Sequence, residues 1–182
     1  MHEATAANLR SAYGGECMAH RRYQIWGEKA EKDGMANIAR LFRAIACAEE
    51  VHAGNHFRAL ARERGDDLVA SMAGFGLGQT PDNLQGGIDG ETYEMTEMYP
   101  AFLEVARMQH EKAAEKSFTY ALEAEKIHAK MFANAKKSAD KGNDIELGPV
   151  QICEVCGYTV EGEAPDVCPI CQVKKEKFIS FE

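Results

Sequence analysis

Charged and apolar residues are interleaved from about position 5 to about position 137, with Ala, Glu, Lys, Met and Arg abundant. That mixture favours helices. No stretch approaches the ~18 consecutive apolar residues that a membrane span requires. Thr5 is a candidate N-cap, and Asp33-Gly34 separates a first helix from a second that runs from about 36 to 64 and stops at Gly65. Residues 66–90 are rich in glycine and hold Pro81. They are too long for a simple turn and predict a crossover above a bundle. The Gly74–Gly78 run has the look of a phosphate loop, but no strand precedes it. A third helix is expected from Glu91, with a kink at Pro100 where the Thr96 carbonyl is freed. A fourth ends near Lys137, and their junction is placed at Gln109-His110. Residues 138–149 are a polar linker, and from Val150 short β-prone runs, turns and cysteines take over. The expected architecture is therefore an all-α four-helix bundle over 1–137 and a small β-rich module over 150–182.

The helical half repeats itself. Glu49-x-x-His52 recurs as Glu125-x-x-His128 and Tyr23 as Tyr99, each 76 residues on, while Glu16 recurs as Glu91 after 75. An internal duplication of helix pairs explains this. Glu16 stands about as far before the Asp33-Gly34 turn as Glu49 stands after it, and Glu91 and Glu125 are similarly placed about Gln109. At ~1.5 Å rise per residue, the four glutamates share one layer of the bundle. Glu and His three apart share a helix face. A Glu from each of two helices with a Glu-x-x-His from each of the other two is the ligand set of carboxylate di-iron and di-manganese bundles. A single Glu-x-x-His on a charged helix is ordinarily a solvated face; two copies with partners at matched height are not. Glu94 adds a further carboxylate on the Glu91 face, where the first repeat has Ala19. Such a surplus ligand permits exchange at the site, although an exposed acid is the plain alternative. Tyr23 and Tyr99 are either hydrogen-bond donors to ligand carboxylates or core aromatics. His20, His56 and His110 lack ligand spacing and read as surface residues, and Cys17 as an inert thiol. Gly14-Gly15 in mid-helix costs ~1 kcal/mol per glycine relative to alanine, without a sequence-level reason.

Four of the six cysteines form two C-x-x-C pairs, Cys153/Cys156 and Cys168/Cys171, separated by eleven residues. Four thiolates in that arrangement suit one zinc or one iron, and so short a module needs the ion to fold. Gly157-Tyr158 and Pro169 tilt the choice toward iron. The net charge of −8 argues against nucleic acid. The start of the chain shows no signal peptide, so a reducing cytoplasm is expected.

GECMAHRRY (Glu16), AEEVH (Glu49, His52), GETYEMTEMYP (Glu91, Glu94), AEKIH (Glu125, His128) and the terminal CEVCGY…CPIC together resemble the rubrerythrin family across essentially the whole chain. The resemblance implies a ferritin-like bundle with two iron ions and a rubredoxin-like tail with one. It also implies a cytoplasmic peroxidase that reduces hydrogen peroxide to water, fed by an external reductase or rubredoxin. In that family the counterparts of Glu94 and His52 exchange at one iron, the counterparts of Tyr23 and Tyr99 bond to the ligands, and head-to-tail homodimers bring one chain's tail to the other's bundle. The rival readings are a ferroxidase or iron-storage protein, and a non-catalytic binding protein with structural zinc in the tail.

Overall fold

The computed structural model describes all 182 residues. Helices α1 (Glu3–Lys32), α2 (Ala36–Ala59), α3 (Thr80–Tyr93), α4 (Tyr99–Met108) and α5 (Lys112–Ala139) precede strands β1 (Val150–Cys153), β2 (Thr159–Glu161) and β3 (Phe178–Phe181). A π-helical segment, Glu94–Met98, joins α3 to α4 into one long third helix, so the five helical segments make a four-helix bundle. The tail is an antiparallel sheet in the order β2-β1-β3.

Two aromatic clusters form the core, one on each side of the acidic layer. Tyr23, Trp26, Phe42 and Phe132 fill one; Tyr99 and Phe118 anchor the other with Leu9 and Leu103. Phe42 and Phe118 are themselves 76 residues apart, so the duplication extends into the packing. The turn at Asp33-Gly34 closes as expected, with Gly34 at φ +79° and Met35 N–H donating to the Ala30 carbonyl at 2.9 Å.

Several boundaries differ from expectation. Helix α2 ends at Ala59, and α3 begins at Thr80, well inside the stretch expected to cross over. Its start is built by Pro81 in the first turn and a reciprocal cap between Gln79 and Asp82, while Thr80 Oγ1 donates to Asp33 Oδ2 at 2.7 Å. Gly86 and Gly87, which suggested a loop, are helical because there is no room for side chains. A Cβ there would lie 2.9 Å from the rings of Trp26 and Phe132 respectively. The crossover, now residues 60–79, also explains the glycine pair in α1. A Cβ at Gly14 would meet Val69 Cγ1 at 2.8 Å, and one at Gly15 would meet Ser71 Oγ at 3.0 Å. Thr5 caps nothing; it lies inside α1 and donates from Oγ1 to Gln109 Oε1 at 2.6 Å, tying α1 to the α4–α5 turn.

Pro100 sits in the first turn of α4, and the distortion before it is a π-turn in which the Tyr99 N–H reaches back to the Glu94 carbonyl. A π-turn holds one residue more than an α-turn. That surplus residue is why Glu91 and Tyr99 stand eight apart where Glu16 and Tyr23 stand seven apart.

The linker is docked. Asp144 accepts from the N–H groups of Asn37 (2.8 Å) and Ile38 (3.1 Å), closing the open end of α2. The sheet then packs on its own chain's bundle, Val150 and Ile152 against Ala44 and Ala48, with Asn55 Nδ2 donating to the Val155 carbonyl at 2.9 Å.

Candidate metal centre

Glu16 on α1, Glu49 and His52 on α2, Glu91 on α3, and Glu125 and His128 on α5 project into one layer between the two aromatic clusters. Every one is at most 1 % exposed. Their donor atoms form two overlapping groups, each drawn together within 4.8 Å: Glu16, Glu49, His52 and Glu125 in one, Glu49, Glu91, Glu125 and His128 in the other. Glu49 and Glu125 belong to both, the arrangement required of carboxylates that bridge two ions. Glu94, on the π-segment, joins neither group and stays half-buried at the edge of the layer.

The protein alone does not satisfy these side chains. Glu16 Oε2, Glu49 Oε1, Glu91 Oε2, Glu125 Oε1 and His52 Nε2 are buried without a hydrogen-bond partner. An orphaned buried charge is expensive, and divalent cations remove the cost. Burial and the neighbouring carboxylates push Glu16, Glu91 and Glu94 well above the ordinary range. Burial also acts to raise Glu125, but the facing His52 and His128 outweigh it and hold that carboxyl low. Both imidazoles are held well above their usual value: burial opposes this, and the attraction of Glu125 overcomes it.

Surrounding groups orient the layer. Tyr23 donates to Glu91 Oε1 at 2.6 Å, and Tyr99 donates to Glu16 Oε1, so each half of the duplication supports the other half's glutamate. Thr159 of β2 donates to the Gly157 carbonyl at 3.0 Å, leaving its oxygen to accept from His128 Nε2 at 2.8 Å. That bond occupies Nε2 and leaves Nδ1 as the nitrogen turned toward the carboxylates. The tail therefore helps to set a side chain of the bundle.

In the tail, Cys153 and Cys171 Sγ lie 3.5 Å apart, as do those of Cys156 and Cys168. These are free thiols. Four sulfurs at ~2.3 Å from one ion stand about 3.8 Å apart in a tetrahedron, so the cluster fits one metal with little adjustment. The hydrogen bond from Cys156 lowers the Cys153 thiol to about 5, whereas burial raises that of Cys171 to about 11. Four thiolates together require the cation. Gly157, at φ +78°, turns the first knuckle directly onto the bundle, where a Cβ would lie 2.1 Å from His52 Nε2.

Comparison with known proteins agrees with this geometry. The family described as rubrerythrin matches residues 7–136, and its rubredoxin-like domain matches residues 151–179. The chain belongs to the rubrerythrin family. It is 56% identical to Rubrerythrin-2 of Clostridium acetobutylicum over 177 residues, covering 97% of this chain and 96% of that protein. Nigerythrin of Nitratidesulfovibrio vulgaris is 34% identical, with 98% of this chain and 87% of the relative covered. The solved structure of fully reduced, all-ferrous nigerythrin superposes with a TM-score of 0.87 at 32% identity, over 100% of this chain and 88% of that one. A Rhodobacter capsulatus bacterioferritin at 17% identity and a TM-score of 0.68, covering 78% of this chain and 88% of that one, shares the fold alone. The chain thus carries a carboxylate–histidine di-iron site in its bundle and a rubredoxin-like four-cysteine site in its tail.

The sequence missed three members of the site. His56, read as a surface residue, is fully buried; Tyr99 and Ser117 lie within hydrogen-bond distance of its two ring nitrogens. Its place one turn after His52, on the same face, was the available signal. His20 is likewise half-buried, its Nδ1 2.7 Å from the Ala46 carbonyl. Thr159 and Gly157 reach the bundle only through tertiary folding, which no local pattern announces. The tail rests on its own chain's bundle.

Proposed function

We propose that this chain is a non-haem di-iron peroxidase that reduces hydrogen peroxide to water, with electrons entering through the four-cysteine iron from an external reductase or rubredoxin. The observation that carries the reading is the seat of the first cysteine knuckle on His52. A ferroxidase or storage protein has no use for an electron-carrying tail held there, and a structural zinc module has no reason to touch the bundle at a ligand.

When bound, a ferrous pair supplies two electrons and a Lewis-acidic seat for the O–O bond. Glu16, Glu49, His52, Glu91, Glu125 and His128 would hold that pair, Glu49 and Glu125 being the carboxylates common to both donor groups. Glu94, half-buried on the π-segment beside the layer, would offer the pair a further carboxylate as an alternative to His52. Tyr23 and Tyr99 keep Glu91 and Glu16 oriented. The reaction consumes two protons and two electrons per peroxide and releases two waters. In this reading the protein works in the cytoplasm as a homodimer. No helix is long and apolar enough to cross a membrane.

Anaerobic stopped-flow mixing of the reduced protein with peroxide and, separately, with dioxygen tests the assignment. Faster oxidation by peroxide is expected, and the protein as isolated should be red from thiolate-to-iron charge transfer. Faster reaction with dioxygen, or a colourless zinc-filled tail, would overturn it.

A further inference from the structure

Reduction of peroxide at a buried site needs protons as well as electrons, and the ligand layer is closed to solvent. We propose that Ser117, His56 and Tyr99 form a one-way proton relay from the surface to the Glu16 carboxylate; this rests on the peroxidase reading above. Tyr99 O–H donates to Glu16 Oε1. The Tyr99 oxygen is therefore free to accept from His56 Nε2, 3.0 Å away, which makes Nε2 the protonated ring nitrogen. His56 Nδ1 then accepts from Ser117 Oγ at 2.8 Å. Every donor in the chain points inward. Tyr99 and His56 are fully buried, and Ser117, 5 % exposed, lines a surface pocket of about 250 Å³ between bundle and tail, beside Asn55, Lys116 and Val155.

The duplication supplies an internal comparison. The residues 76 positions from His56 and Ser117 are Phe132 and Leu41, both buried and apolar, so Tyr23 in the other half has no polar route behind it. Phe132 packs on Tyr23 at 5.2 Å between ring centroids much as His56 packs on Tyr99 at 5.8 Å. Phenylalanine thus meets the packing need at this position of the repeat. The imidazole and hydroxyl on one side alone call for a different reason.

Each transfer moves one proton. Solvent protonates Ser117 Oγ as its own hydrogen passes to His56 Nδ1, the Nε2 hydrogen passes to Tyr99, and the Tyr99 hydrogen passes to Glu16 Oε1. The transfer leaves His56 protonated on Nδ1 and bare on Nε2; before a second delivery the ring must move off the Tyr99–Ser117 line, lose the Nδ1 proton to solvent and regain one on Nε2, so it carries no net charge in either form. Glu16 gives each proton up to a peroxide oxygen and returns to a carboxylate, so two deliveries supply the two protons that the reaction consumes with its two electrons.

The test compares full-length, iron-loaded wild type with His56→Gln, Ser117→Ala and Ser117→Thr, each reduced anaerobically and mixed with peroxide in H2O and D2O. Glutamine keeps an N–H for Tyr99 but has no second ring nitrogen to receive a proton. His56→Gln and Ser117→Ala should be oxidised about 10- to 100-fold more slowly, with a larger solvent isotope effect than wild type, at the lower end of what positioned proton transfer contributes. Ser117→Thr, which keeps the hydroxyl, should restore the rate. Imidazole nitrogen NMR of the full chain loaded with zinc in place of iron should show His56 neutral and protonated on Nε2. Wild-type rates and isotope effects in both slow variants, or a proton on Nδ1, would overturn the relay. Should reduced wild type ignore peroxide and take dioxygen, the peroxidase reading falls, and the same comparison run with dioxygen still decides the relay.

Discussion

Gly157→Ala bears directly on how the cysteine module is seated. The backbone there has φ +78°, a left-handed conformation that costs a residue with a Cβ about 1–2 kcal/mol. The added carbon would also lie 2.1 Å from His52 Nε2, where ordinary contact is about 3.5 Å, so roughly 1.4 Å must be found. His52 cannot give way. It is 1 % exposed, with Nδ1 hydrogen-bonded to Glu49 Oε2 at 2.9 Å. The tail must lift instead, stretching the Asn55–Val155 and His128–Thr159 hydrogen bonds, at about 1 kcal/mol each. Docking should weaken by about 2 kcal/mol, and the tail's own fold by about 1–2 kcal/mol more. The assay follows reoxidation of the reduced four-cysteine centre after peroxide is added, alongside proteolysis of linker residues 140–149. Slower electron transfer between the centres and faster cleavage are expected, while direct oxidation of the bundle's own iron pair stays near wild type. A variant with unchanged transfer and unchanged cleavage would refute the seating described here.

Glu49→Ala and Glu125→Ala, which remove carboxylates common to both donor groups, should each abolish binding of both bundle ions, whereas Glu16→Ala or Glu91→Ala should leave about one; metal analysis per chain distinguishes them. For the metal-stripped protein, Glu16, Glu91, His52 and His128 have folded-state pKa values above their ordinary 4.5 and 6.5, so their stabilisation is complete below those values and lost as pH rises. Glu49 and Glu125 are lowered and contribute above 4.5, losing that contribution as pH falls. Thermal unfolding should therefore show greatest stability near about pH 5 and a decline toward about pH 8, with metal affinity rising over the same interval. Gly87→Ala should destabilise the bundle by about 1–3 kcal/mol in denaturant titration, because the methyl group would press on the Phe132 ring.

The ligand layer was legible because helical geometry translates spacing into position. Equal distances about a turn put Glu16 level with Glu49, and a three-residue step puts His52 beside Glu49. The π-turn was not read from the sequence, where only a kink at Pro100 was expected, although the change of offset from 75 at Glu91 to 76 at Tyr99 was its trace. The start of α3 was not legible either, since Gly86 and Gly87 resemble loop residues until Trp26 and Phe132 are seen packed against them. His56 was overlooked for a related reason. A single histidine acquires meaning only from what faces it, and Ser117 comes from a helix 61 residues away. The docking of the tail depends on Gly157, Thr159 and Asp144 meeting groups far away in sequence, and no periodicity encodes such meetings.

Because β1 lies on the same chain's α2, the cysteine knuckle and the acidic layer diffuse as one body. On the peroxidase reading, the path from the four-cysteine centre to the acidic layer lies within one chain. Pairing with a second copy can then add stability or regulation, but dilution alone should not uncouple the two centres.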